Sequence, residues 1–292
     1  MIHFFAEFPR TLTGFVDSWA PELRPRLQTV SYSRSLFLNP RKGACIFADL
    51  ERLPAWKLSL GKRFVRRSAG HSSAPLILND PNCYLGRFEL LRLLHQRGIN
   101  SFRVFRIDDR NTGVKFPVFL RSEIDHRGPI TGLLRSSTEL NRALSRLSFG
   151  ARFRKRHLMI VEYCDCRDAT EAFRKYSVMN INGTLIPRHI LFSRDWVTKK
   201  PDLVSEATAA EEQEFMRCFP HNRQVAEVFQ LAGVNYGRID YGFVDGRIQV
   251  WEINTNPIVV PRRETVNPLR LPAQTNSARR IAEALLSLDR QA

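Results

Sequence analysis

The stretch at residues 233–257, GVNYGRIDYGFVDGRIQVWEINTNP, is the part of the chain from which the fold can be inferred. Two apolar runs of the strand type, 238–244 and 248–253, flank Asp245-Gly246, a dipeptide that is a strong signal for a β-hairpin. Four polar side chains interrupt these runs where a purely structural hairpin would carry apolar ones: Arg238, Asp240, Glu252 and Asn254. Because alternate residues of a strand share a face, Glu252 and Asn254 point to the same side.

The register of this hairpin decides whether its two carboxylates meet. A strict two-residue turn places Asp240 opposite Trp251 and turns Glu252 away from it. A three-residue loop at 245–247, or a bulge nearby, brings Asp240 and Glu252 face to face. We favour the second register, in which a cation lies between the two carboxylates, since they would otherwise repel each other on a half-buried sheet.

The ion that this pair implies is a hard one. Mg²⁺ takes oxygen ligands, needs only one or two protein carboxylates, and fills its other positions with water and nucleotide phosphates. Asp240, Glu252 and the amide oxygen of Asn254 suit that role, and Arg238 would carry phosphate or developing negative charge beside the metal. The alternative is a surface hairpin whose polar face is simply wet.

The order R-x-D-Y, a DG turn and then E-I-N-T-N-P resembles the last core motif of the ATP-grasp superfamily, as in D-alanine–D-alanine ligases, glutathione synthetases and RimK-type ligases. The resemblance implies an α+β fold in which two α+β lobes sandwich the nucleotide behind a reduced N-terminal α/β domain. The corresponding ranges are 1–75 for the N-terminal region, 76–156 for the lobe with the phosphate loop, and 157–292 for the lobe with the metal site. It also implies that Asp240, Glu252 and Asn254 bind Mg²⁺ and that Arg238 is catalytic.

The same resemblance suggests contacts for ATP. Arg87, in a predicted helix, falls where many members carry a phosphate-contacting Lys; the alternative is an ordinary exposed arginine. Arg121 ends the predicted strand KFPVFLR at a second such position, and HRGPITG at 126–132 follows as a weak phosphate-loop signal. The buried run LMIVEY resembles the segment that borders adenine, which assigns Val161, Glu162 and Tyr163 to the nucleotide. The ribose acid is left open among Asp165, Asp168 and Glu171, and we carry Asp165 forward.

A second hairpin is predicted around Asn182-Gly183, with strands at 173–180 and 184–192. In the family, equivalent hairpins line the phosphate and acceptor side of the cleft. On that basis Lys175 is assigned to ATP, and the substrate contacts are assigned to Arg188, His189, Asn256, Arg262 and Arg263. For each strand residue the alternative is a solvated position without a ligand.

The chain of 292 residues has a formal net charge of +16 and a pI of about 10.3, which calls for anionic partners. Of its 45 Lys and Arg residues only eight are Lys, and two basic clusters stand out, at 62–67 and 152–156. No zinc-finger spacing or RRM-type run accompanies them, so nucleic acid is left open but not favoured. The five cysteines form no disulfide framework and are expected to be reduced, structural thiols.

No apolar run approaches the roughly 20 residues of a membrane span, and the N-terminus lacks the pattern of a secretory signal, so a cytoplasmic enzyme is expected. The resemblance implies an ADP-forming ligase that uses ATP and one or two Mg²⁺ ions, with Mn²⁺ as a substitute. It would join a small-molecule or peptide carboxylate to an amine or thiol through an acyl phosphate. The alternatives are an ATP-grasp phosphotransferase and a protein that binds ATP or RNA without turnover. Whether the protein forms a homodimer is left open.

Overall fold

The computed structural model describes residues 1–38, 43–70, 74–109, 113–147 and 155–291; most of the basic cluster at 152–156 lies outside these ranges. The strands are β1 (Ile2–Phe5), β2 (Leu27–Val30), β3 (Ala44–Phe47), β4 (Leu76–Leu78), β5 (Val104–Arg106), β6 (Val118–Ser122), β7 (Leu158–Glu162), β8 (Phe173–Ile181), β9 (Thr184–Ser193), β10 (Tyr236–Val244) and β11 (Arg247–Asn254). The helices are α1 (Arg10–Trp19), α2 (Ala55–Ser68), α3 (Arg87–Gln96), α4 (Ser137–Arg146), α5 (Glu206–Cys218), α6 (Asn222–Ala232) and α7 (Leu271–Gln291).

The N-terminal part is a parallel sheet in the order β2-β1-β3-β4 with helices on both faces. Apolar residues of α1 and α7 pack on one face, and Phe64 and Val65 of α2 pack on the other. Phe5 and Phe47 stack at a centroid distance of 4.7 Å within the α2 layer. Since β4 pairs with β3, the parallel sheet continues beyond residue 75, where the sequence analysis divided the chain.

An antiparallel sheet in the order β11-β10-β8-β9 forms the centre of the molecule. Both of its hairpins turn where they were predicted, at Asn182-Gly183 and Asp245-Gly246. All four of these residues have positive φ, between 49° and 85°, as tight two-residue hairpin turns require. One side of the sheet packs with the N-terminal sheet and α7, and the other packs with α3 and α6.

A smaller antiparallel sheet, in the order β5-β7-β6, is covered by α4. The hydroxyl of Ser136 caps α4 by accepting a hydrogen bond from the Glu139 amide at 3.2 Å. The middle strand of the small sheet is β7, so residues 158–162 belong to this sheet, although the sequence analysis grouped them with the C-terminal lobe. None of the helices in the described part of the chain combines the length and apolarity that a membrane crossing requires.

Two glycines provide a test of the packing at opposite ends of the chain. Gly233 ends α6 with a φ of +65°, and a Cβ added there would lie 2.5 Å from the carbonyl oxygen of Cys83. We expect Gly233→Ala to lower the free energy of unfolding by about 1–3 kcal/mol, because both strain and overlap oppose it. A Cβ added at Gly14, inside α1, meets no atom from another described part of the chain within 4 Å.

The matched control Gly14→Ala should therefore raise the free energy of unfolding by about 0.5–1 kcal/mol, because alanine favours the helix. Urea unfolding of both variants measures the difference. Shifts of the same sign would contradict this packing of α1 and α6.

Candidate active site

The hairpin of β10 and β11 has the register that brings its carboxylates together. The turn has two residues, with Val244 opposite Arg247, but a bulge between Asp240 and Tyr241 shifts the register. As a result Asp240 lies opposite Glu252, which confirms the predicted pairing. Trp251 is the extra residue, and its ring covers Gly242 so closely that a Cβ on that glycine would lie 2.8 Å from the indole.

Buried cations surround the carboxylate of Glu252. Arg87 donates to Oε2 at 2.6 Å, Arg121 donates to the same oxygen, and Nδ1 of His126 lies 3.5 Å from it. Burial alone would raise the pKa of Glu252, but Arg121, Arg87 and His126 outweigh it and hold the pKa well below its ordinary value. Among the described residues all these contacts fall on Oε2, so Oε1 has no protein partner.

Asp240 has its own set of cations. Arg238 donates to both of its oxygens, at 2.9 and 3.3 Å, and Nζ of Lys175 lies 3.7 Å from Oδ2. The hydroxyl of Ser177, on the neighbouring strand β8, donates to Oδ1 at 2.7 Å. Burial would raise the pKa of Asp240, but Arg238 and Lys175 more than compensate and lower it. Both carboxylates are therefore ionised at neutral pH.

A carboxylate–imidazole chain links Glu252 to the N-terminal sheet. Nε2 of His126 lies 2.7 Å from Oε1 of Glu51, which is buried, and the hydroxyl of Thr255 donates to Oε2 of Glu51 at 2.5 Å. Burial would lower the pKa of His126, but its hydrogen bonds to Glu252 and Glu51 raise it. The amide of Leu50 also donates to Thr255, at 3.0 Å. The end of β11 is thus fixed to the turn that follows β3.

A cavity of about 640 Å³ lies beside Asp240 and Glu252. Its charged wall consists of Arg121, His126, Lys175, Arg238, Asp240, Glu252 and Asn254. Its aromatic end consists of Phe102, Phe119, Tyr163, Cys164, Cys166 and Trp196. Its N-terminal end consists of Phe8, Thr11, Arg52, Asn256 and Ile258. One cavity therefore joins an apolar slot, a cationic wall with two carboxylates, and a third region built partly from the N-terminal sheet.

The rings at the aromatic end pack on one another and present apolar surface to the cavity. Phe119 of β6 and Trp196 lie with ring centroids 4.9 Å apart, and Tyr163 meets Trp196 edge-on at 5.8 Å. The carboxylate of Glu162 does not enter this slot freely, because it accepts hydrogen bonds from the Arg103 side chain and the Lys115 amide. Any contact of β7 with a ligand in this part of the cavity is thus left to the backbone groups that follow the strand.

Nine of the residues selected from the sequence line the cavity: Arg121, Glu162, Tyr163, Lys175, Arg238, Asp240, Glu252, Asn254 and Asn256. Asn254 and Asn256 are held by each other, since the Asn256 amide donates to Oδ1 of Asn254 at 2.8 Å. The side chain of Asn256 also donates to the carbonyl of Phe8 at 3.1 Å. Asn256 therefore connects the β10–β11 hairpin with the loop that follows β1.

Seven other selected residues do not border the cavity: Arg87, Val161, Asp165, Arg188, His189, Arg262 and Arg263. Arg87 is buried behind Glu252, so neither a phosphate contact nor the exposed position considered as the alternative describes it. Val161 is a core residue of β7. Asp165 pairs with Arg167 at 2.6 Å on the exposed turn beyond that strand.

The substrate residues among these seven lie in two other places. Arg188 is fully buried and donates to the Val259 carbonyl and to Gln274, and burial together with nearby Arg238 lowers its pKa to about 9. His189 is buried beside it, and burial holds its pKa well below the ordinary value, so it is neutral. Arg262 and Arg263 are exposed and contact Glu264 and Trp19, respectively.

The oxygen atoms of Asp240, Glu252 and Asn254 are the candidate ligands for a metal ion. No cluster of three or more His, Cys, Asp or Glu side chains able to hold a metal occurs in the described ranges. Two ionised carboxylates and an amide, with Oε1 of Glu252 without a protein partner, are instead the sparse oxygen set that Mg²⁺ takes when phosphates and water complete its octahedron. The residues therefore fit a phosphate-bound magnesium ion.

Comparison with known proteins finds solved structures that share this architecture. A scan against protein-family models found no match, and a search of curated proteins found none either. Solved structures do match over nearly the whole chain. D-alanine–D-alanine ligase from Bacillus anthracis, complexed with ATP, has a TM-score of 0.55 at 13% identity and covers 99% of this chain and 96% of that chain.

The ATP-grasp ligase PsnB, complexed with a precursor variant, Mg and ADP, has a TM-score of 0.54 at 13% identity, with coverage of 99% and 97%. VanG D-Ala:D-Ser ligase from Enterococcus faecalis has a TM-score of 0.55 at 11% identity, with coverage of 99% and 98%. The chain has the ATP-grasp fold. Identities this low show the fold alone.

Sequence reasoning missed several residues of this ATP-grasp cavity. His126 and Glu51 are separated by 75 positions, and neither lies in a motif that links them. Gly128 offered a signal, because it belongs to the predicted phosphate loop: its φ is +95°, and a Cβ there would lie 2.5 Å from the Lys199 side chain. Lys199 and Trp196, from the loop after β9, carried no signal of their own.

Cys164 provides a test of the aromatic end. Its Sγ lies 4.0 Å from that of Cys166 and 3.4 Å from the Ser101 hydroxyl. The hydrogen bond with Cys166 lowers the pKa of Cys164 to about 7, whereas the pKa of Cys166 is raised. We expect iodoacetamide to alkylate Cys164 faster than Cys166, with a rate that rises as the pH passes through about 7, because the thiolate is the nucleophile.

Peptide mapping by mass spectrometry measures both rates. Mg–ATP should slow alkylation of Cys164 at least about fivefold by covering it, and leave that of the exposed Cys218 unchanged. Equal slowing at both thiols, or no slowing at Cys164, would contradict a nucleotide in this slot.

Proposed function

We propose that the protein is an ATP- and Mg²⁺-dependent, ADP-forming ligase that joins a carboxylate to an amine or thiol through an acyl phosphate. The observation that carries this proposal is the cavity itself. A single space contains an aromatic slot, a cationic wall and two ionised carboxylates placed opposite each other by a bulge. The solved structures of similar fold include ligases complexed with ATP or with Mg and ADP.

In this proposal the aromatic end receives adenine. Phe119, Tyr163 and Trp196 provide apolar surface along the cavity, and the strand end after Glu162 provides backbone groups, as nucleotide bases require. The triphosphate then extends along the charged wall. Arg121 and Lys175 border it, and Lys199 beside Gly128 lies where a loop could close over phosphate. Lys175 and Lys199 are point charges, whereas Arg121 offers a planar fork.

Asp240, Glu252 and Asn254 would hold Mg²⁺, which supplies charge neutralisation for the phosphoryl group when bound. The arginines behind the carboxylates keep them ionised and fixed in place, as the low pKa values of Asp240 and Glu252 require. Arg87 and His126 act through Glu252 and touch no ligand themselves in this proposal. Their role is to position the carboxylate, because each makes its contact on Oε2.

Arg238 lies beside the position proposed for the reacting carboxylate of the substrate. It borders Asp240 on one side and donates to the Ile258 carbonyl, at the N-terminal end of the cavity, at 3.3 Å on the other. A fixed guanidinium there would stabilise negative charge that develops as the carboxylate attacks the γ-phosphate and as the amine attacks the acyl phosphate. Neither step needs a protein nucleophile.

We expect Asp240→Asn to reduce ADP release at least about 100-fold, because a metal ligand and a counter-charge of Arg238 are lost together. The assay uses Mg–ATP, a panel of carboxylic acids and hydroxylamine, which converts an acyl phosphate into a hydroxamate that is detected as its coloured iron(III) complex. Asp17→Asn is the matched control: it removes a carboxylate that pairs with Arg24 on the exposed surface, and it should leave the rates unchanged. Circular dichroism checks that both variants fold.

The outcomes separate the proposed ligase from its alternatives. ADP together with hydroxamate supports the ligase, and ADP without hydroxamate for any acid supports a phosphotransferase. Full activity of Asp240→Asn would refute the metal assignment. Tight, salt-sensitive binding of RNA with no ADP release at all would favour a binding protein.

A further inference from the structure

Arg52 is a cation of the cavity that pairs with no described acid. Arg121, Lys175 and Arg238 each form an ion pair with a carboxylate of the β10–β11 hairpin. Arg52 makes no ion pair within the described ranges, and its buried Nε has no hydrogen-bond partner there. Because its guanidinium lines the cavity and makes no ion pair or hydrogen bond to a described residue, an anionic ligand would find its donors unoccupied.

The turn that carries Arg52 is fixed to Thr255, the residue that directly follows the β10–β11 hairpin. Its two preceding residues both contact Thr255: the Leu50 amide donates to the Thr255 hydroxyl, which itself donates to Glu51. The Arg52 amide donates to the Asp49 carbonyl at 2.8 Å, which closes the turn. The position of Arg52 relative to the metal ligands is thus set by contacts on both sides of the cavity, as a specificity residue requires.

The lining at the N-terminal end of the cavity includes apolar side chains and contributes no carboxylate. Its guanidinium lies 5.4 Å from the centroid of the Phe8 ring, and Phe8 and Ile258 are 53% and 62% exposed. In the described lining of the cavity the acids are Glu162, Asp240 and Glu252, and none of them belongs to the N-terminal end. This end therefore favours a negative group attached to an apolar one and contributes no acid that would pair with an ammonium group.

We propose that Arg52 binds a second, non-reacting carboxylate of a substrate, with the apolar part of that substrate against Phe8 and Ile258. This inference rests on the proposed function, which places the reacting carboxylate beside Arg238. The second carboxylate belongs to the acid that is activated or to the amine that accepts it. A planar guanidinium suits either, because it can donate two parallel hydrogen bonds to a carboxylate.

The test is calorimetric binding to the protein saturated with Mg–AMP-PNP, which fills the phosphate sites. Adipate is compared with hexanoate in the donor arm, and phenylalanine with phenylalaninamide in the acceptor arm. In at least one arm we expect the ligand with the extra carboxylate to bind about tenfold more tightly. Arg52→Gln should abolish that preference and Arg52→Lys should reduce it. Arg24→Gln, which removes an exposed cation elsewhere in the N-terminal part, should leave it unchanged.

No preference in either arm, or a preference that persists in Arg52→Gln, overturns this inference. AMP-PNP affinity and hydroxamate yield of the same variants separate the two proposals. If wild type binds AMP-PNP and forms hydroxamate but shows no preference, the assignment of Arg52 alone is wrong. If wild type does not bind AMP-PNP, the proposed ligase function fails and the assignment falls with it.

Discussion

The site depends on a repulsion that the protein has to balance. Asp240 and Glu252 lie directly opposite each other on neighbouring strands, an arrangement that destabilises a sheet when both groups are charged. Cations behind each carboxylate make it stable, with Arg87 and Arg121 at Glu252 and Arg238 and Lys175 at Asp240. The same balance keeps both groups ionised and aimed at the cavity, so the device that stabilises the hairpin also prepares it to hold a cation.

This balance ties the three sheets together. Arg121 comes from β6 of the small sheet, Lys175 from β8 of the central sheet, and Arg87 from the first turn of α3, so two sheets and a helix contribute to one electrostatic cluster. Beyond the hairpin, Thr255 and Asn256 extend the cluster to the turn after β3 and to the loop before α1. A substrate that binds at the N-terminal end would therefore contact elements already fixed relative to Asp240 and Glu252. Preorganisation of this kind is what a reaction governed by positioning and charge requires.

Local signals in the sequence predicted both hairpins, because Asn-Gly and Asp-Gly turns need only neighbouring residues to form. The pairing of Asp240 with Glu252 needed a choice between registers, and the bulge that decides it leaves Trp251 as the extra residue, which no local turn signal indicates. The position of Arg87 could not be predicted: its partner Glu252 is 165 residues away, and helical periodicity does not tell which buried residue a side chain meets. Arg188 failed for a related reason, since strand alternation gives two faces but not which one borders the cavity.

The most direct measurement of the central claim is a crystal structure with AMP-PNP and Mn²⁺, using anomalous scattering to locate the metal. We expect an anomalous Mn²⁺ peak between the phosphates and the carboxylates of Asp240 and Glu252, at metal–oxygen distances of about 2.0–2.3 Å. We also expect Arg87 and Arg121 to stay on Oε2 of Glu252 while the ion takes the other oxygen. A triphosphate bound with its metal away from both carboxylates, or a nucleotide outside the cavity, would contradict the assignment of Asp240 and Glu252 as metal ligands.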